Sequence, residues 1–106
     1  VKYAARKLDG VPAKDLRGMV DAMKKEIGSG VVALTSVADG KVSVVVGVSN
    51  DLTGKINAAE LVKIATPLIG GQGGGGRPDF AQGGGADPAG AEKALEAIAE
   101  QIGKAA

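Results

Sequence analysis

The chain has 106 residues, enough for one domain with a core of its own, and contains neither cysteine nor histidine. That removes disulfides, thiolate nucleophiles, the usual general base and the nitrogen and sulfur ligands of zinc sites, so most hydrolase constellations are excluded. Thirteen basic residues against twelve acidic ones leave a net charge of +1, so contact with a polyanion has to come from a local patch.

Val1 is followed by no basic head and apolar stretch of the secretory kind, and the chain reads as an excised cytoplasmic fragment. Lys, Asp or Gly interrupts every apolar run well before the roughly 18 residues of a membrane span, so no membrane contact is expected. From Lys2 to Leu8 apolar and charged residues interleave, predicting a strand suited to a sheet edge, with Lys2, Arg6 and Lys7 on its solvated side. After Gly10 and Val11, Pro12 suits the first turn of a helix. Leu16, Met19, Val20, Met23 and Ile27 form one stripe of that helix, with Lys14, Arg17, Lys24 and Lys25 turned away, and Gly28 to Gly30 end it.

Two β-branched runs, Val31–Val37 and Lys41–Val48, are joined by Asp39-Gly40, a pair suited to a two-residue hairpin turn. Val44, Val45 and Val46 do not alternate, which predicts a central strand covered on both faces. After a polar turn from Asn50 to Lys55, Asn57 and Glu60 make a capping-box-like start to a helix carrying Leu61, Ile64, Ala65 and Leu68, limited by Pro67. The last helix opens at Asp87-Pro88, turns Leu95, Ile98 and Ile102 toward the core, and closes at Gly103 and Lys104. The expected fold class is α/β with an α+β-like layout. One compact domain over residues 1–106 would place a mixed, antiparallel-rich sheet of four or five strands against three helices, with a last strand near Asp79 to Gln82.

Between the last two helices, Gly70 to Gly85 holds nine of the eighteen glycines in sixteen positions. Composition alone describes a flexible linker, yet Arg77, Pro78, Asp79, Phe80 and Gln82 interrupt it, and Phe80 is the chain's one phenylalanine. Gly71, Gly73 and Gly76 satisfy the spacing of a dinucleotide motif, but that motif follows a strand and opens a helix, whereas here a helix enters and Pro78 follows. A phosphate-binding loop of the Walker kind needs Lys and Ser or Thr where Arg77-Pro78 stand. Two readings of the glycines stay open. They form an anion-binding nest with Arg77 at its rim, or they let the backbone turn tightly and pass close to a neighbour. Phe80 is expected in the core as the largest packing residue of an aromatic-poor chain, its alternative being to stack on a base, and Asp79 and Gln82 read as holding the loop. The scattered carboxylates show no metal-ligand spacing, and the hydroxyl residues have no imidazole partner.

With its flanks, the run IGGQGGGGRPDFAQGGG from Ile69 to Gly85 resembles the terminal signature of alanyl-tRNA synthetases, and the order of elements before it is similar too. A more distant resemblance is to the accessory domain of DHH-family phosphoesterases, whose glycine run is followed by His-Pro. Arg77 in place of that His, with Phe80-Ala81-Gln82, favours the synthetase branch. The resemblance implies the globular C-terminal (DHHA1-type) domain, an accessory binder that engages the outer corner of tRNA(Ala) and coordinates aminoacylation with editing. It implies no catalytic residue, metal or cofactor in this domain; ATP and Mg²⁺ belong to the parent enzyme, with zinc in its editing domain. The implied partners are tRNA(Ala) and the other domains of the synthetase, with homodimerisation as a further option. The expected contacts are Arg77, Gln72 and the backbone of Gly73, Gly74, Gly75 and Gly76, with Lys55 and Lys63 neutralising phosphates. The rival readings are the substrate-binding accessory domain of a phosphoesterase and a dimerisation or protein-interaction module.

Overall fold

The computed structural model describes residues 2–38, 40–71 and 74–105. Asp39 of the expected turn, and Gln72 and Gly73 of the expected site, lie outside them. Strand β1 (Tyr3–Asp9) leads through helix α1 (Ala13–Ile27) into β2 (Val31–Ala38) and β3 (Lys41–Val48). Helix α2 (Ala58–Ala65), strands β4 (Gly74–Gly76) and β5 (Phe80–Gly85), and helix α3 (Ala91–Ala105) follow. The five strands form one sheet in the order β1-β2-β3-β5-β4. β1 runs parallel to β2, as a strand–helix–strand crossover requires, and every other pair is antiparallel. The mixed, antiparallel-rich sheet with three helices that the sequence predicts is therefore the one that forms. Among the described residues no helix is long and apolar enough to cross a membrane.

The sheet separates two apolar layers. On one face α1 buries Leu16 and Val20 against Val32, Leu34 and Val45. On the other, α2, the 3₁₀ turn that follows it (Thr66–Ile69) and α3 bury Leu61, Val62, Ile69 and Ile98 against Val31, Ala33, Val44 and Val46. Val44, Val45 and Val46 are all fully buried because β3 sits between β2 and β5 with a helix layer on each side, which accounts for the missing alternation. Opposite Val45 in β2 lies Leu34, and the register ends with Ala38 facing Lys41, across a turn in which Gly40 takes φ +73°.

Local signals fix the helix ends. Asn57 caps α2 by accepting from the amides of Ala59 and Glu60 at 2.9 and 3.4 Å, and Asp87 caps the 3₁₀ turn Pro88–Gly90 that leads into α3. The apolar stripe of α2 differs from expectation. Ile64 and Leu68 are 36% and 38% exposed, while Leu61, Val62, Ala65 and Ile69 face inward. At Thr66-Pro67 the helix tightens into a 3₁₀ turn with three residues per repeat, so Ile69, three residues after the buried Thr66, points inward in place of Leu68.

The glycine-rich segment is folded as two strands, and most of its glycines are demanded by packing. A Cβ on Gly83 would collide with Thr66 Cγ2 and lie 2.9 Å from Val62 Cγ1, and one on Gly74 would collide with Val62 as well. A Cβ on Gly85 would strike the carbonyl oxygen of Ile69, and one on Gly90 that of Leu68. The close-approach reading holds at these four positions: α2 and the 3₁₀ turn rest on bare backbone. Gly75 differs, since nothing stands within 4 Å of the Cβ position and its φ lies outside the left-handed region. Gly83→Ala should therefore destabilise the fold by about 1–3 kcal/mol through overpacking, whereas Gly75→Ala should lie within about 0.5 kcal/mol of the parent; urea unfolding measures both.

At the far edge Tyr3 ties β1 to α3, its hydroxyl donating to the carbonyl of Leu95 at 3.0 Å. Burial pushes its phenol from 10.0 to about 12. The folded state then holds the proton more tightly than the unfolded chain, so this contribution is complete below pH 10 and is lost as pH rises toward 12. Tyr3 is the chain's one tyrosine, so tyrosinate absorbance in folded protein should titrate near pH 12. Tyr3→Phe should remove part of the fall in stability across that window.

Candidate nucleic-acid interface

β4 and β5 are joined by a tight turn in which the Arg77 amide donates to the Phe80 carbonyl at 2.8 Å and the Phe80 amide donates back to Arg77 at 3.3 Å. Three other elements hold that turn. The amide of Val48 in β3 donates to the Asp79 carbonyl, and the amide of Ala58 in α2 donates to that of Pro78, both at 2.8 Å. From α1, Lys24 Nζ reaches the Asp79 carbonyl at 3.3 Å. Three bonds from neighbouring elements and two within a turn of this size fix where its side chains begin. Arg77 is directed outward with 74% of its side chain exposed, and its Nε lies 3.5 Å from Asp79 Oδ1. Such an exposed pair adds little to stability, but it orients the guanidinium.

Beside the turn lies a hollow of about 490 Å³ on the α1 face of the sheet. Its floor is Gly75, Gly76, Ala81 and Gln82, and its walls are Arg17 and Asp21 of α1 together with Arg77 and Phe80. The register explains the opening. Gln82 pairs with Val45 on one side and Gly75 on the other, so all three present the same face, and α1 packs chiefly on β2 and β3. The two outer strands thus extend beyond the helix, and β4 carries no side chain to fill the gap. Arg17 Nε donates to Gln82 Oε1 at 2.6 Å and bridges the helix to the floor. Phe80 is half-buried, packed on the α1-side core and also lining the hollow, so the expected core position is met on one side only.

Of the residues singled out from sequence, Gly75, Gly76 and Arg77 meet at this hollow, and Gly74 precedes them on β4 with its other face against Val62. Lys55 is exposed in the turn before α2, beside Asn57 and Glu60, three residues ahead of the Ala58 that holds Pro78. Lys63 is exposed on α2, the helix packed on the opposite face of the sheet. Asp79 holds the turn as expected of it, while Gln82 is a strand residue tied to α1. Arg17 and Asp21 were not legible as site residues. Their one signal is a spacing of four at the flank of the Leu16–Val20 stripe, which any solvated helix face also shows. The arrangement offers two guanidinium groups, an amide, a carboxylate, part of an aromatic ring and bare backbone.

The DHHA1 domain model matches residues 1–104. The alanine–tRNA ligase of Paramagnetospirillum magneticum is 54% identical over 103 residues, which is 97% of this chain and 12% of the ligase. That of Parvibaculum lavamentivorans is 52% identical over 107 residues, covering 100% of the chain and 12% of the ligase. The chain thus spans about 12% of the length of the relatives it matches. The solved C-Ala domain of Aquifex aeolicus alanyl-tRNA synthetase superposes with a TM-score of 0.87 at 31% identity, covering 94% of this chain and 89% of that one. By its sequence over nearly every residue, and by a sheet and helices that superpose on those of a solved relative, the chain belongs to the DHHA1 domain family.

Proposed function

We propose that the chain is the tRNA-binding accessory domain of an alanyl-tRNA synthetase, engaging the outer corner of tRNA(Ala) while aminoacylation and editing proceed in other domains. The observation that carries this reading is Arg77, exposed on an anchored turn at the rim of a glycine-floored hollow. A guanidinium in that position forks onto phosphate or a base edge, and backbone without side chains lets a polynucleotide come close. The similarity to alanine–tRNA ligases and to the C-Ala domain supports the assignment.

In this reading Gly74 to Gly76 meet the RNA along the β4 edge of the sheet, and Gln72 and Gly73, which lie outside the described residues, are proposed as contacts from the sequence alone. Lys55 approaches from the turn before α2, and Lys63 neutralises phosphates that pass around the edge toward α2. ATP and Mg²⁺ are used by the rest of the synthetase, and so is zinc, for which this chain offers neither His nor Cys. The compartment is the cytoplasm, and the neighbouring domains of the synthetase are further partners.

A salt series of tRNA binding tests the reading, comparing the parent chain with Arg77→Ala and intact tRNA with one whose outer corner is disrupted. The log–log salt slope should shrink by about one unit in Arg77→Ala, and disruption of the corner should weaken binding to the parent chain. Indifference to both changes would remove this function.

A further inference from the structure

We infer that Lys24 of α1 is a positioning residue for the RNA contact: its stem lies on the bare backbone of Gly47, and its ammonium group holds the Asp79 carbonyl and with it the turn that presents Arg77. The inference rests on the tRNA-binding reading and goes beyond it by giving α1 a part that touches no RNA.

Three observations support it. The first is burial. Among the basic residues whose exposure is described, Lys24 alone is half-buried; the others are exposed, including Lys14 and Lys25 on the same helix. Lysines of a solvated helix face keep their charged ends in water, so an ammonium drawn inward has a partner that holds it there.

The second is the room made for its stem. A Cβ on Gly47 would lie 2.5 Å from Val20 Cγ1 and 2.7 Å from Lys24 Cδ. The φ of Gly47 lies outside the left-handed region, so backbone conformation does not call for glycine there, and packing against α1 does. In the register of β3 and β5, Gly47 stands opposite Phe80, the residue that closes the Arg77 turn. The stem therefore crosses the sheet beside the turn and is confined before it reaches its acceptor.

The third is the acceptor. Lys24 Nζ donates to the Asp79 carbonyl at 3.3 Å, and the amide of Val48 donates to the same oxygen at 2.8 Å, so both of its acceptor positions are used. The described ion pairs are Lys7–Glu92 and Arg77–Asp79, and Lys24 belongs to neither. Its ammonium is thus spent on the backbone of the residue whose carboxylate orients the Arg77 guanidinium. Lys24 does not line the hollow beside Arg77; it lies with Lys25, Ser49 and Asn50. Holding a turn from outside the contact surface sets its geometry before the ligand arrives, which lowers the ordering cost of binding.

Lys24→Met keeps most of the stem and removes the ammonium group. The test measures tRNA affinity and its salt dependence for the parent chain, Lys24→Met, Lys24→Arg, Arg77→Ala and the Lys24→Met/Arg77→Ala double variant. Lys93→Ala on α3 serves as the control for a lost charge, and amide hydrogen exchange and thermal unfolding are recorded for each. Lys24→Met should weaken binding roughly fivefold at an unfolding temperature close to the parent's, with faster exchange of the Arg77 and Phe80 amides. In the Arg77→Ala background the same substitution should change neither affinity nor salt slope, because a positioning residue acts only through what it positions. Lys24→Arg, which restores a donor, and Lys93→Ala should bind like the parent.

If Lys24→Met costs further affinity and about one unit of salt slope in the Arg77→Ala background, Lys24 meets a phosphate itself and the inference is wrong. Parent-like affinity or parent-like exchange of the turn amides in Lys24→Met also overturns it, and the tRNA-binding role stands as long as Arg77→Ala is weakened. Equal weakening in Lys93→Ala would reduce the effect to net charge and overturn it as well. If the parent chain binds no tRNA, both readings fall.

Discussion

The rest of the structure depends on how closely α2 and the 3₁₀ turn after it approach β4 and β5. Val62 and Thr66 lie where the side chains of Gly74 and Gly83 would be, and the carbonyls of Ile69 and Leu68 lie where those of Gly85 and Gly90 would be. Interiors at crystal-like density do not open by the width of a methyl group without cost. With Cβ atoms on these strands, α2 would have to lift, and Leu61, Val62 and Ile69 would separate from Val44 and Val46. The ordering entropy of so many glycines is offset by the apolar surface that their small size allows the helix to cover.

The same composition has a different consequence on the other face. α1 covers β2 and β3, leaving the outer pair of strands without a helix, and a strand of three glycines cannot fill the gap with side chains. A sheet edge exposed in this way is a liability in an ordinary domain, because unpaired amides and carbonyls invite another strand. Here β4 is only three residues long, and the Arg77–Phe80 turn that ends it is held by β3, α1 and α2. Edge and turn are thus short and fixed, which suits a site whose groups must be in place before a ligand arrives.

Elements governed by periodicity and capping were legible in the sequence. The α1 stripe, the two-residue register between Ala38 and Lys41, the central position of Val44–Val46 and the Asn57 and Asp87 caps all follow from spacing and local chemistry. Phase and partnership across the chain were not. In α2 the apolar residues surround more of the helix than the core accepts, so only the 3₁₀ turn at Pro67 decides that Ile69 is buried and Leu68 is not. A glycine tract has no periodicity to show that it pairs as a strand, because the signal of a strand lies in its side chains. Arg17 was missed for a related reason: its role comes from Gln82, 65 residues away, and a helix surface read by itself gives every arginine to solvent.

A near-neutral chain limits how the proposed tRNA contact can work. With a net charge of +1 there is little long-range field, so association depends on the local donors Arg17, Arg77, Lys55 and Lys63 and on backbone that the RNA can approach. So few cations can neutralise only a few phosphates, and the affinity of such a surface by itself is modest. Joined to domains that hold the same RNA elsewhere, the second contact becomes intramolecular, and modest affinity is multiplied by effective concentration. Under the proposed function, a weak, shape-reading contact would then have an advantage over a tight one: it would add discrimination at a distance from the chemistry and still let the product leave.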